Sequence, residues 1–219
     1  MSEAENRRPL ASRNTGWAAA LTRGLAATSV SPNDISIASM VAALAAGAAF
    51  WAAGSAVDPA FRAVLLVAAA GFCQLRLLCN LLDGMVAIEA GKGAPDGAFW
   101  NEFPDRVSDL LILVGVGYGI GDPALGWAAA ALAILTAYVR ELGRSCGLPA
   151  DFSGPMAKPH RTALVTAAAL LSILEPLWNG SGEILLAALW LVAIGSGVTV
   201  VRRAWRVVAR LRSGARARV

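Results

Sequence analysis

The chain has 219 residues, of which 57% are apolar, and a formal net charge of +4. Long apolar stretches recur along most of its length, which excludes a soluble globular domain and predicts a polytopic membrane protein. The three cysteines, Cys73, Cys79 and Cys146, form neither a CxxC pair nor a zinc-binding spacing, so we interpret them as small packing residues.

The N-terminal segment is amphipathic. Residues 1–24 are polar and basic and lack the apolar core of a cleavable signal peptide. Residues 10–29 mix apolar side chains with arginines, which predicts a helix in the membrane interface with Arg13 and Arg23 toward water. The apolar residues of this helix are Leu10, Trp17, Leu21 and Leu25. The alternative is a poorly ordered basic tail.

Six apolar runs of about 20 residues predict six transmembrane helices and therefore an all-α fold. The runs are residues 35–54, 60–82, 106–121, 123–143, 161–178 and 182–204. Only Gly121 and Asp122 separate the third run from the fourth. The predicted layout is an N-terminal cytoplasmic segment over residues 1–30, a membrane domain over residues 31–205 and a basic cytoplasmic tail over residues 206–219.

Basic residues collect on one side of this membrane domain. With a cytoplasmic N-terminus, the opposite side holds only Arg62. The cytoplasmic segments hold Arg7, Arg8, Arg13, Arg23, Lys92, Arg106, Arg144, Lys158, Arg161 and the tail from Arg202 to Arg218. This positive-inside pattern places both termini in the cytoplasm. We expect an integral protein of a bacterial inner or plasma membrane whose basic face attracts anionic lipid headgroups. Juxtamembrane arginine is expected from topology alone, so we expect no nucleic-acid partner.

A polar hexapeptide, Ser31-Pro32-Asn33-Asp34-Ile35-Ser36, precedes the first span. Its proline and asparagine indicate a turn, and Asn33, Asp34 or Ser36 would cap the helix that follows. Capping alone would explain these residues about as well as a ligand-binding role, so both interpretations stay open.

Two stripes of oxygen-bearing and small residues lie where the second helix ends and the third begins. The first contains Asn80, Asp83, Gly84 and Ala87, and the second contains Asn101, Asp105 and Asp109. Each stripe has the spacing of one helix face. Asp and Asn oxygens are the ligands that Mg²⁺, Mn²⁺ or Ca²⁺ prefers, so the two stripes predict a metal site. The small residues leave room for a ligand near the backbone.

Arg76 lies one turn before Asn80, inside the second predicted span. A charge near the centre of a span costs about 2.5–3.5 kcal/mol, so Arg76 should face a partner or a polar cavity. The alternative is that it snorkels to the inner interface.

Cations also surround the loop between the fourth and fifth spans. Arg140, Lys158 and Arg161 lie near the same cytoplasmic face, where such cations could bind a phosphorylated ligand. The positive-inside rule also explains loop cations, but it explains Arg140 least well because that residue lies inside a span. His160 is interpreted as a loop residue without a ligand role.

The stretch from Asn80 to Asp105 resembles the signature of the CDP-alcohol phosphatidyltransferases. That signature runs Asp, two residues, Asp-Gly, two residues, Ala-Arg, eight residues, Gly, three residues, Asp, three residues and Asp. Its positions here are Asn80, Asp83, Gly84, Ala87, Ile88, Gly97, Asn101 and Asp105. Every spacing fits, and the departures are Asn80 and Asn101 for aspartate and Ile88 for arginine.

The resemblance implies six membrane helices around a cavity open to the cytoplasm, a Mg²⁺ or Mn²⁺ cofactor and a homodimer. CDP-diacylglycerol would be attacked by the hydroxyl of an alcohol acceptor, with release of CMP. The metal ligands would be Asn80, Asp83, Asn101 and Asp105, with Asp105 also the base. The CDP-lipid would contact Asn33, Ser36, Gly84 and Ala87. Arg76 or Lys92 is the hypothesised replacement for the missing arginine, and Glu102 and Asp109 are nearby acids.

The substitutions almost preserve the charge of the signature. Four aspartates and one arginine total −3, whereas the corresponding residues here total −2. We therefore expect an active transferase in phospholipid synthesis, with weaker metal binding and one ion instead of two. The acceptor is open, although the loop cations favour a phosphorylated alcohol.

Two other functions remain as alternatives. The first is a catalytically silent family member that binds CDP-lipid or a partner protein, which the three departures favour. The second is a small transporter, which ranks last because the chain has no pair of broken helices in corresponding halves. Metal-dependent CMP release separates the transferase from both.

Overall fold

The computed structural model describes residues 15–89, 91 and 95–216. In these residues the chain forms seven α helices and one 3₁₀ helix. The α helices are α1 (Gly16–Ala26), α2 (Pro32–Ser55), α3 (Pro59–Glu89), α4 (Gly97–Gly119), α5 (Pro123–Ser145), α6 (Lys158–Leu171) and α7 (Glu183–Arg216), and the 3₁₀ helix is Ser172–Trp178. The predicted all-α membrane fold is confirmed.

Five helical segments in the described residues are long and apolar enough to cross a membrane. They are Pro32–Ser55, Pro59–Ile88, Pro123–Ser145, Lys158–Trp178 and Glu183–Ser213. The third predicted span, residues 106–121, corresponds to α4, which is 23 residues long and packs between α2 and α5. It lies outside this set because its first half carries charged residues, which include the predicted site residue Asp105.

The short helix α1 packs against the end of α3. Ala18 and Thr22 are buried, and the hydroxyl of Thr22 lies 3.8 Å from the sulfur of Met85. Trp17 and Leu21 are exposed on the other side, as the interfacial prediction requires. Leu10 and Arg13 lie outside the described residues.

Glycines allow α4 to lie directly against α2 and α5. The facing pairs are Gly47 with Gly115, Gly54 with Gly119, and Gly117 with Gly126. A Cβ added to Gly117 would lie 2.6 Å from the Cα of Gly126, which leaves no room for any side chain. Small residues at such crossings let backbones approach and replace side-chain burial with close van der Waals packing.

Helix α4 begins earlier than the sequence predicts. The sequence predicts that α4 starts between Asn101 and Phe103, with Pro104 in its first turn. This prediction is wrong, because the helix begins at Gly97. The carbonyl of Asp96 accepts hydrogen bonds from the backbone N–H groups of Phe99 at 3.0 Å and Trp100 at 3.2 Å. These bonds stabilise a first turn that precedes the proline.

The end of the molecule opposite the predicted site holds a buried ion pair. Arg62 Nη2 lies 2.6 Å from Glu175 Oε2, and Glu175 is completely buried in the 3₁₀ helix. Glu175 also accepts a 2.9 Å hydrogen bond from the backbone N–H of Ile184. Arg62 is about 30 Å along α3 from Asp83 at 1.5 Å per residue, so this pair joins the helix ends far from the predicted site.

Candidate active site

Asp83 is a buried carboxylate near the end of α3. It is 6% exposed, accepts a 2.8 Å hydrogen bond from the Ser36 hydroxyl of α2 and accepts a 2.5 Å bond from the backbone N–H of Gly84. Among the ion pairs of the described residues, none includes Asp83. A buried carboxylate is costly without a compensating charge, so Asp83 is suited to bind a cation.

Asp105, from the first half of α4, is surrounded by cations. Its carboxylate contacts Arg76 at 3.0 Å, Arg106 at 3.5 Å and the ammonium of Lys158. Hydrogen bonding assigns the Asn80 amide with its nitrogen donating to Asp105 Oδ1 at 2.8 Å and its oxygen accepting from Lys158 Nζ at 2.5 Å. Asn80 and Asp105 therefore share Lys158.

Arg76 is 1% exposed, so the snorkelling alternative is wrong. Its Nη2 pairs with Asp105, and its Nε and Nη1 have no acceptor among the described residues. The guanidinium thus places its charge inside the protein beside the carboxylates, where the hypothesis of a replacement arginine requires it. Lys92, the other residue in that hypothesis, lies outside the described residues.

A second ion pair lies one turn further along α4. Arg161 Nη2 contacts Asp109 Oδ2 at 2.6 Å, and both residues are buried. Arg161 Nη1 donates to the carbonyl of Met156 at 2.9 Å. Arg161 therefore fixes the start of α6 to α4 through its charge and its hydrogen bonds.

A pocket lined with arginines adjoins this centre. It lies between the end of α5 and the second half of α7, and its lining includes Arg140, Asp151, Arg203, Arg206 and Arg210. Burial alone would raise the pKa of Asp151, but hydrogen bonds from the hydroxyl and backbone N–H of Ser153 and the contact with Arg206 hold it below its usual value.

Glu102 connects the pocket with the aspartates. It pairs with Arg140 and, at 3.3 Å, with Arg106, and Arg106 in turn contacts Asp105. Arg140 also lies 5.2 Å above the ring of Phe152, a cation–π distance. The pocket and the buried carboxylates therefore belong to one polar network.

The predicted lipid-binding residues lie near the aspartates but differ in their contacts. Ser36 of α2 is buried against Asp83 of α3, and Gly84 and Ala87 are half-buried on α3. Asn33 donates a 3.2 Å hydrogen bond to Asp96, just before α4. The predicted metal ligand Asn101 is exposed.

Asp83 and Asp105 differ in how their charges are compensated. No group of three or more His, Cys, Asp or Glu side chains in the described residues is placed to hold a metal. Asp83 is buried without a cationic partner in that part of the chain, whereas the charge of Asp105 is already compensated by Arg76 and Lys158. The fit to a divalent cation therefore rests on Asp83.

One relative aligns with most of the chain. An archaetidylinositol phosphate synthase from Aeropyrum pernix is 30% identical over 188 residues, which cover 86% of this chain and 88% of that protein. The chain belongs to the CDP-alcohol phosphatidyltransferase family. No family model matches it.

Two bacterial relatives match the chain over a shorter region. Phosphatidylinositol phosphate synthases of Streptomyces avermitilis and Mycobacteroides abscessus are each 31% identical, over 137 and 136 residues. The matches cover 59% and 57% of this chain, and 56% and 57% of the relatives. They therefore span less than two thirds of the length of these two proteins.

Solved structures share the fold. Mycobacterium tuberculosis phosphatidylinositol phosphate synthase with CDP-DAG bound has a TM-score of 0.72 and 23% identity, over 87% of this chain and 92% of that chain. A structure of the same protein with manganese and citrate also has a TM-score of 0.72 and 23% identity, over 87% and 88% of the two chains. The chain therefore shares the helical fold of these structures.

The contribution of α7 to the pocket was not predicted from the sequence. Arg203, Arg206 and Arg210 line the pocket, but we interpreted the arginines of this segment through topology alone. Their spacing of three and four residues puts them on one helix face. That spacing is the signal that would have identified them.

Proposed function

We propose that the protein transfers a phosphatidyl group from CDP-diacylglycerol to a phosphorylated alcohol and releases CMP. The observation that carries this proposal is the junction of α3 and α4, where Asp83 and Asp105 are both buried and Asp105 belongs to a polar network that extends to an arginine-lined pocket. The family and the signature spacing support the same reaction. A membrane enzyme of this kind needs buried charge for a diphosphate and a separate anion site for its acceptor.

The proposed acceptor is an inositol phosphate. The relatives are named phosphatidylinositol phosphate and archaetidylinositol phosphate synthases. Guanidinium groups bind phosphate through paired hydrogen bonds, and Arg140, Arg206 and Arg210 line one pocket. Of the three predicted acceptor residues, Arg140 lines this pocket, whereas Lys158 and Arg161 contact carboxylates of α4.

The CDP-lipid is proposed to lie over the junction of α2, α3 and α4. Ser36 positions Asp83, Asn33 joins the start of α2 to the start of α4, and Gly84 and Ala87 leave space beside the carboxylate. Arg76 supplies positive charge beneath the diphosphate, in place of the arginine that Ile88 replaces.

In the proposed reaction the acceptor hydroxyl oxygen attacks the β-phosphorus of the CDP-lipid. A new phosphorus–oxygen bond forms, the bond from that phosphorus to CMP breaks, and the hydroxyl proton passes to the carboxylate of Asp105. Arg76 and Lys158 hold that carboxylate in place through their ion pairs. Mg²⁺ or Mn²⁺, held by Asp83 with the amide oxygen of Asn101, would neutralise charge on the diphosphate.

The proposed setting is a homodimer in the membrane with both termini and the site facing the cytoplasm. Residues 31–205 would form the membrane domain, residues 1–30 the N-terminal segment and residues 206–219 the basic tail. The arginine-rich end of α7 supports this orientation, since the positive-inside rule places such an end in the cytoplasm.

The test is CMP release from CDP-diacylglycerol by the purified protein with Mg²⁺ or Mn²⁺. Inositol phosphate, glycerol 3-phosphate, inositol and serine are compared as acceptors. We expect release with inositol phosphate, and a loss of about 10²–10⁴-fold in Asp105→Asn. Asp83→Asn should also be inactive. Because Asp83 is in none of the ion pairs of the described residues, this substitution breaks no ion pair.

The matched control is Asp58→Asn, which keeps the helix-capping oxygen before α3 at the other end of the molecule. It should retain full activity. Folded protein that releases no CMP with any acceptor would instead indicate a silent family member. Release with glycerol 3-phosphate alone would support the transferase and overturn the choice of inositol phosphate.

A further inference from the structure

We propose that Lys158 permanently fills a cation position between Asn80 and Asp105, so that the protein binds at most one divalent ion. The inference deepens the proposed function and rests on it. In this arrangement a side chain of the protein replaces one ion at the diphosphate centre, and only the Asp83 side can accept a metal.

The contacts of Lys158 support this role. Its ammonium touches Asp105 Oδ2 and lies 2.5 Å from the Asn80 amide oxygen. Hard oxygen donors of this kind are what a divalent cation would use. The ammonium thus occupies one oxygen each of Asn80 and Asp105, two residues at positions of the signature.

The charges make a second ion at this place unfavourable. Asp105 already faces Lys158 and Arg76, and Asn80 adds no charge. A divalent ion beside Asp105 would be repelled by both side-chain cations within a buried site, where such repulsion is poorly screened. Asp83 makes no ion pair in the described residues, and Lys158 acts on it only at longer range.

The fold fixes the position of Lys158. It is the first residue of α6, between the buried Ala157 and Pro159. Three residues later, Arg161 is held to α4 by the buried ion pair with Asp109. Moving the start of α6 away from Asp105 would therefore separate a second ion pair.

Asn80 is also suited to a site in which the Lys158 ammonium takes the place of a divalent ion. An amide oxygen accepts a hydrogen bond from an ammonium, and the amide nitrogen simultaneously donates to Asp105. An aspartate at this position would lack that donor and place two carboxylates together. The loss of the signature aspartate and the presence of Lys158 are thus parts of one local change.

The experiment counts Mn²⁺ ions bound by the detergent-purified protein, with electron paramagnetic resonance to measure free Mn²⁺. The variants are Lys158→Met, Asn80→Asp with Lys158→Met, and Arg23→Met, which removes an exposed cation from α1. We expect one ion or none in the native protein and in Arg23→Met. The double variant should bind one additional ion, and the apparent Mn²⁺ affinity should rise at least tenfold.

Two bound ions in the native protein would overturn the proposal, and this measurement needs no variant to fold. An unchanged count in a folded double variant would also overturn it. Because the readout is metal binding, it does not depend on catalysis. Absence of CMP release with the expected ion counts would refute the transferase, whereas CMP release with two bound ions would refute only the role of Lys158.

Discussion

The Ser36 hydroxyl supplies a buried hydrogen bond to Asp83 at 2.8 Å. Removing one partner of a buried hydrogen bond costs about 1–3 kcal/mol when the other group is left unsatisfied. We therefore expect Ser36→Ala to lower kcat/KM for CMP release by about 5- to 150-fold, because Asp83 loses its orientation. The measurement is steady-state CMP release at saturating metal.

Ser39→Ala is the matched control for this prediction. Ser39 is equally buried on the same helix, but its hydroxyl donates to the backbone carbonyl of Ser36. Ser39→Ala should leave kcat/KM within about twofold of the native value, because this hydrogen bond contributes little net free energy. Equal losses in both variants would contradict a specific role for the Ser36 hydroxyl.

Arg161 and Asp109 provide a second test at the level of single residues. Breaking a buried ion pair costs about 3–5 kcal/mol, whereas removing both charges costs much less. Arg161→Met should therefore lower the thermal unfolding midpoint strongly, and Arg161→Met with Asp109→Asn should recover much of that loss. A variant Arg161→Met with native stability but a raised KM for inositol phosphate would instead support the predicted acceptor role.

Among the elements, α4 depends on its glycines more than on its hydrophobicity. A Cβ at Gly115 would collide with the backbone of Gly47, whereas Gly71 on α3 has nothing within 4 Å. Overpacking costs about 1–3 kcal/mol or more. Gly115→Ala should lower the unfolding midpoint in detergent, and Gly71→Ala should not, because alanine favours the helix there. Similar midpoints for the two variants would contradict the close α2–α4 crossing.

The helices themselves could be predicted from the sequence because each contains a long apolar run. The start of α4 could not, since its first turn depends on Asp96 and on aromatic neighbours rather than on apolar content. The change from α6 to a 3₁₀ helix after Leu171 was also missed. Glu175 is buried there by an arginine 113 residues earlier, a contact that no local pattern indicates.

The aspartates of the site could be predicted from their spacing, but their partners could not. Lys158 reaches Asp105 only because the start of α6 lies beside α4. The same holds for Arg76, whose depth in the membrane suggested a partner without identifying it. Signature positions are local in sequence, whereas charge compensation in this site is a product of helix packing.

For the molecule as a whole, we predict that the site and both termini face the cytoplasm, and cysteine labelling can test this orientation. Cys146 is exposed just after α5, on the side of the site, while Cys73 is buried. In a Cys73→Ala, Cys79→Ala background, a membrane-impermeant maleimide should label Cys146 in inverted vesicles and not in intact cells. The measurement is the labelled fraction in the two preparations.

The opposite reporter is Ser55→Cys combined with Cys146→Ser. Ser55 is exposed at the far end of α2. A cysteine at this position should react with the maleimide in cells whose outer envelope is permeabilised while the inner membrane stays intact. Labelling of Cys146 from outside would reverse the proposed topology. It would also place the arginine-rich end of α7 on the side that the positive-inside rule disfavours.

A lysine at the first position of α6 has a consequence for the cell. A side chain attached to the site has a fixed effective concentration, because the backbone delivers it to the same place in every molecule. A free ion fills its site only in proportion to its supply. With Lys158 beside Asp105, the charge compensation that this lysine provides does not depend on the intracellular magnesium supply, whereas occupancy of the metal site proposed at Asp83 does.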